Sequence, residues 1–151
     1  MNNLLQFSTR AACSNDVEFL FTLKKAAEFD LIHAVFGWDE KQQRIIHQDE
    51  WHEARPRIVE YSGNPVGSYL LQDKGDHFYF GRFFLLPTFH NKGIGSQLLA
   101  QCTALADHQQ KPIKLCYLQG SPVARLYQRM GFEIIAQDTQ FVTMQRAIKR
   151  E

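Results

Sequence analysis

No stretch of this sequence is apolar for long enough to cross a bilayer, which excludes a membrane-spanning helix. The opening run MNNLLQFSTR lacks the basic-then-apolar order of a secretory signal, so a cytoplasmic protein is expected. Charge of one sign is equally scarce. Seventeen Lys and Arg face 16 Asp and Glu, a formal net charge of +1, and nothing in that balance would recruit nucleic acid or an anionic membrane. A polyanionic partner would have to be bound locally. Only three cysteines occur, Cys13, Cys102 and Cys116, with no C-x-x-C spacing, which excludes a disulfide framework. Cys102 and Cys116 lie in apolar runs, so reduced, buried thiols are expected. Repeats, low-complexity tracts and Pro/Ser-rich linkers are also missing, and residues 1–151 read as a single domain. With 44% apolar and 13% aromatic residues over 151 positions, such a chain can bury a sizeable core.

The patterns that are present alternate between strand and helix. Residues 4–10 read as a strand, and 14–32 as a helix with Phe19, Leu20, Leu23, Ala27 and Leu31 on one face, opened by a weak capping box of Asn15 and Glu18. A more polar helix is expected over 38–51. Two β-like runs then flank Ser62-Gly63-Asn64-Pro65, a hairpin signal. HFYFGRFFLLP (77–87) is apolar on both faces except for Arg82, as in a central strand. A helix over 93–108 follows, with Ile94, Leu98, Leu99, Cys102 and Leu105 on one face. A strand (112–118), a short helix (121–131) with Pro122 in its first turn and Gly131 as its stop, and two last strands complete the chain. The expected fold class is α/β (α+β): a mixed, mostly antiparallel sheet of six to seven strands, flanked by about four helices.

Between the central strand and the next helix lies HNKGIGSQLL (90–99). A helix N-terminus exposes unpaired N–H groups and the positive end of the helix dipole, so it can hold a phosphate without a lysine. Gly93 and Gly95 remove the side chains that would block the approach. The P-loop pattern is absent, and the third glycine of a dinucleotide fingerprint would fall at Leu98.

The neighbourhood of that turn resembles the GNAT superfamily of acyl-CoA-dependent N-acyltransferases. RAACSND (10–16) is similar to the family's opening R-x-A-x-x-x-D, GNPVGSYLL to its strand-two/strand-three hairpin, FFLLPTFHNKGIG to its pyrophosphate motif, and LYQRMGF (126–132) to its tyrosine-bearing helix. Four segments in the right order, over nearly the whole chain, make the resemblance specific. It implies direct transfer of an acetyl group from acetyl-CoA, a cosubstrate, to a primary amine, without a metal. The acceptor would be a small molecule; alternatives are a protein or peptide acceptor, or a non-catalytic acyl-CoA-binding module. A homodimer is compatible with it.

By the resemblance, the amides of Asn91, Lys92, Gly93, Ile94, Gly95 and Ser96 would hold the pyrophosphate. The strand end Phe84, Leu85 and Leu86 would pair with the pantetheine arm. Two positions depart from the family pattern. His90 stands where Gln or Arg is usual, which lowers affinity or makes it pH-dependent. Gly120 and Ser121 replace an asparagine before the short helix, and Ser121 would supply a substitute hydroxyl. Tyr127, at the family's tyrosine position, would protonate the departing thiolate. FGWDE (36–40) resembles an acceptor-side segment, which makes Trp38, Glu40 and Arg82 the candidate acceptor-binding residues. Arg82 could instead pair internally with Glu40 or Asp39.

No base is evident. Glu40, Asp39 and His77 are candidates. His47 and His52, five apart, miss the spacing of paired metal ligands and read as solvated surface residues, while Cys116 reads as a buried strand residue rather than a nucleophile.

Overall fold

The apolar spacings fold into elements in the order the sequence predicts. The computed structural model describes residues 6–149. It contains β1 (Ser8–Ala11), α1 (Val17–Phe36), α2 (Glu40–Glu53), β2 (Arg57–Tyr61), β3 (Asn64–Asp73), β4 (Phe78–Leu85), α3 (Ile94–His108), β5 (Ile113–Leu118), α4 (Ala124–Arg129), β6 (Glu133–Gln137) and β7 (Phe141–Arg146). Short 3₁₀ turns occupy Ser14–Asp16 and Pro87–Phe89. Of the strand expected over 4–10, residues 8–10 are found in β1, and residues 4 and 5 lie outside the described residues. The strands form a seven-stranded sheet in the order β1-β2-β3-β4-β5-β7-β6. It is mixed: β4 runs parallel to β5, whereas β1–β2, β2–β3, β5–β7 and β6–β7 are antiparallel.

The chain divides into two compact units, Met1–Leu70 with Arg82–Asn91, and Leu71–Gly81 with Lys92–Glu151. In the first, Ala12, Leu20, Trp51 and Ile58 form a buried cluster with Val17 and Phe19 packed against it. Asp16 ties down the 3₁₀ turn that leads into α1, where the sequence suggests an Asn15–Glu18 box. Asp16 accepts from the Cys13 amide at 2.8 Å and takes both prongs of the Arg10 guanidinium at 2.8 and 2.9 Å. That pairing, first of all, holds the buried Asp16 carboxyl well below the usual carboxylate range. Glu18 is unavailable for capping because Arg44 of α2 binds its two oxygens at 2.7 and 2.9 Å. Asp39 caps α2 by accepting from the Gln42 amide at 3.0 Å, which starts that helix at Glu40. His47 is not the solvated residue expected: its Nε2–H donates to the Val17 carbonyl at 2.9 Å, and its ring stands edge-on to Phe21. Between β2 and β3, Ser62 and Gly63 both have positive φ, 52° and 79°, as a two-residue hairpin turn requires.

In the second unit, α3 buries Ile94, Leu98, Leu99, Cys102 and Ala106. Leu105, expected on that face, is 42% exposed because the four-residue step from Cys102 lands on Ala106. Burial pushes the Cys102 thiol up to about 12. Cys116 is exposed, a correction to the buried position expected: the pleat turns Ile113 and Leu115 inward and Cys116 to the other side. At the end of α3, Asp107 takes both guanidinium nitrogens of the buried Arg146 at 2.9 and 3.0 Å.

Candidate active site

The last residues of β4 are placed by β3. The Leu86 amide donates to the Val66 carbonyl at 2.8 Å, and Ser68 Oγ donates to the Arg82 carbonyl at 2.8 Å. Gly67 lies so close that a Cβ there would meet Leu85 Cδ2 at 2.5 Å and the Phe84 oxygen at 2.6 Å. Any side chain at 67 would displace the strand end proposed by sequence to face pantetheine. Within β4, Arg82 has φ of 49°, in the left-handed region, so the strand is bent where the sequence FGRFF passes through it.

The Arg82 side chain holds that bend to α2. Its guanidinium donates to the carbonyls of Glu50 and Ala54 at 2.9 and 2.6 Å, and its Nε lies 3.5 Å from Glu50 Oε2. The Glu50 carbonyl already accepts from the Ala54 amide at 3.0 Å, and Ala54 is the residue that ends α2, so Arg82 adds a charged donor to the C-terminal end of the helix. The carboxylate partner is therefore Glu50, not the Glu40 or Asp39 proposed from sequence. Arg82→Lys keeps the charge and loses the fork. A stability loss of about 1.5–3 kcal/mol is expected, or roughly 4–10 °C in melting temperature for a chain of this size. Calorimetry checks this, and an unchanged melting temperature would show that the fork does not support the fold. Kinetics adds a second reading: equal losses with all acceptors mark a structural arginine, whereas selective loss with carboxylate-bearing amines gives it an acceptor role.

Beyond β4 the chain passes through the Pro87–Phe89 turn to His90. His90 Nε2–H donates to the Leu85 carbonyl at 2.8 Å, tying the loop back to the strand. With that proton committed, Nδ1 can donate to an anion only when the imidazole is protonated. Asn91 and Gly93 then take positive φ, 59° and 83°, and Gly93 becomes the N-cap of α3. No side chain caps α3 from that position. The helix thus begins with Ile94, Gly95 and Ser96 behind an N-cap without a side-chain oxygen, a start suited to an anion.

Tyr127 lies in α4, 6% exposed, with its ring near those of Phe80, Tyr117 and Phe132 at 5.8–6.3 Å between centroids. Its carbonyl accepts from Met130 and Phe132 amides, which fixes the backbone around the ring. Ser121 Oγ accepts from the Val123 amide at 3.3 Å, so its hydroxyl serves the turn into α4.

Trp38 and Glu40 meet directly: the indole N–H donates to Glu40 Oε2 at 2.7 Å. Lys25 joins them, with Nζ 2.9 Å from the same oxygen and 5.5 Å from the Trp38 ring centroid. Phe29 packs on both Trp38 and His33. The Trp38 hydrogen bond, and then Lys25, lower the Glu40 pKa, which weakens it as a base. Asp39 is engaged as the α2 cap, and His77 is paired with Asp76. Lys25, Glu28 and Glu50 carried no signal in the candidate motifs. The spacing that could have found Glu28 is its place four residues after Lys24 on the inward stripe of α1.

A family model described as an acetyltransferase (GNAT) domain matches residues 52–134, which run from the end of α2 through the glycine turn and α4. The chain belongs to the GNAT acetyltransferases, enzymes that use acetyl-CoA. Solved structures share its fold at low identity. The PaiA N-acetyltransferase of Thermoplasma acidophilum, solved with coenzyme A, is 14% identical with a TM-score of 0.72, covering 95% of this chain and 99% of that one. PH1933 of Pyrococcus horikoshii OT3 is 15% identical, TM-score 0.76, with 96% and 100% covered. The ribosomal-protein-S18-alanine N-acetyltransferase of Escherichia coli is 13% identical, TM-score 0.70, with 97% and 96% covered. No curated protein matches the sequence significantly.

Proposed function

We propose that the chain is a single-domain cytoplasmic N-acetyltransferase that moves the acetyl group of acetyl-CoA directly to the primary amine of a small molecule. The observation that carries this is the start of α3, where Asn91 and Gly93 in the left-handed region lead into a helix with no side-chain cap. The amides of residues 91–96 hold the pyrophosphate, and Phe84–Leu86, positioned by Val66 and Gly67, pair with the pantetheine arm. The neutral amine attacks the thioester carbonyl; an N–C bond forms and the C–S bond breaks. One proton leaves the amine for a base, and Tyr127 delivers another to the departing thiolate. Such a transfer calls on no metal. Free thiols at Cys13, Cys102 and Cys116 fit a reducing compartment. Trp38 and Glu40, with the Phe29 and His33 rings, offer an acceptor an aromatic surface beside a carboxylate.

Incubation with acetyl-CoA and a panel of primary amines, with release of free thiol followed, tests the reading. Thiol release that depends on a small amine is expected. Release with peptides alone would move the acceptor to a protein, and coenzyme A binding without release on any acceptor would reduce the chain to a binding module.

A further inference from the structure

The geometry points to Glu28 as the acceptor-side carboxylate: we propose that it receives the ammonium group of a primary amine and takes its proton. The inference rests on the acetyl-transfer reading above and supplies the base that the sequence does not reveal. Glu28 lies on the α1 stripe that also carries Leu20, Lys24, Leu31 and Ile32, three or four residues apart, and is half-buried there. Its charged neighbours are already committed. Lys24, its side chain 15% exposed, binds Glu50 Oε1 through Nζ at 3.1 Å, and the other Glu50 oxygen faces Arg82 Nε at 3.5 Å. Arg82 also reaches Glu53 at 3.9 Å. Lys24 from α1 and Arg82 from β4 thus neutralise Glu50, and neither gives a hydrogen bond to Glu28.

Among the described residues no hydrogen bond or ion pair reaches the Glu28 carboxylate. Nor, among the described residues, is any side-chain oxygen both sealed from solvent and unpartnered, so the unpaired Glu28 carboxylate keeps contact with solvent. A half-buried carboxylate without a donor weakens a fold, and such groups persist where chemistry uses them. Desolvation raises its pKa, Lys24 partly offsets that, and the charge of Glu50 adds a smaller upward push. A raised pKa makes it a better proton acceptor than Glu40, whose own is lowered. The ligand is therefore a primary ammonium. Its N–H groups donate to Glu28, one proton passes to the carboxylate, and the freed lone pair attacks the thioester.

Glu28→Gln keeps the shape and removes the base. With an amine that the wild type acetylates, kcat/KM is expected to fall roughly 10²-fold or more, with coenzyme A affinity unchanged by calorimetry. The melting temperature at neutral pH should hold or rise, because a desolvated carboxylate has been removed. In the wild type, kcat/KM should climb with pH as Glu28 ionises, above the usual glutamate range, and that limb should vanish in the variant. Glu28→Asp, which keeps the charge one methylene back, should recover part of the rate. A Gln variant as active as wild type, with the same pH limb, overturns the assignment of Glu28 and leaves acetyl transfer standing. A wild type that releases no thiol with any amine overturns the acetyl-transfer reading itself, and with it this role.

Discussion

Ser96→Asp should weaken coenzyme A binding by roughly 10²-fold while leaving the melting temperature level or slightly raised. Ser96 is the third residue of α3, half-exposed in the first turn. A carboxylate there interacts favourably with the positive end of the helix, by about 0.3–1 kcal/mol. The same carboxylate faces any pyrophosphate held by the turn. Two like charges about 4 Å apart repel by roughly 1 kcal/mol in water and about 4 kcal/mol at the intermediate dielectric of a protein surface, which brackets losses of about 5-fold to 10³-fold. Opposite signs for fold and ligand make the experiment selective, because a variant that merely damaged the helix would lose both. Titration calorimetry at two salt concentrations checks it: the difference from wild type should shrink as salt screens the repulsion. Ser96→Ala should stay near wild type, since the amide does the binding. Unchanged affinity in the Asp variant would remove the pyrophosphate from α3.

The sequence disclosed most where the signal was local. Gly93 could be placed in a strand-to-helix turn because positive φ favours glycine, and its φ is 83°. The hairpin at Ser62-Gly63 was legible for the same reason. What escaped depended on partners distant in sequence. Arg82 was conspicuous in an apolar strand, but its partners lie 28 and 32 residues earlier, at the C-terminal end of α2, and only the placement of that helix selects Glu50 over Glu40. Gly67 looked like an ordinary strand residue until Phe84 and Leu85 were found against it. Glu18 matched a capping box, yet Arg44, 26 positions away, claims it. Glu28 was hidden differently. Its helix buries Leu20, Phe21, Leu23 and Ile32 with or without it, and its lack of a partner emerges only after Lys24 and Glu50 have found each other.

Tyr127→Phe should lower kcat roughly 10²-fold or more, within the range of general acid catalysis, with coenzyme A affinity little changed. The substitution is conservative for packing. The ring is almost fully buried among Phe80, Tyr117 and Phe132, and phenylalanine keeps each of those contacts. The backbone around it is held by the Met130 and Phe132 amides, which bond to the Tyr127 carbonyl and do not depend on the hydroxyl. The loss should therefore fall on the step in which the C–S bond breaks and the sulfur, as a thiolate with an ordinary thiol pKa near ~8.5, receives a proton. Two measurements separate this from a packing effect. A loss in kcat with KM for acetyl-CoA preserved marks an interaction made in the transition state alone. Replacing acetyl-CoA with a thioester whose leaving thiol is more acidic should narrow the gap between variant and wild type, because a better leaving group needs less help from an acid. Equal turnover by the phenylalanine variant on both thioesters, at the wild-type rate, would show that the proton reaches sulfur by another route and that Tyr127 is a packing residue of α4.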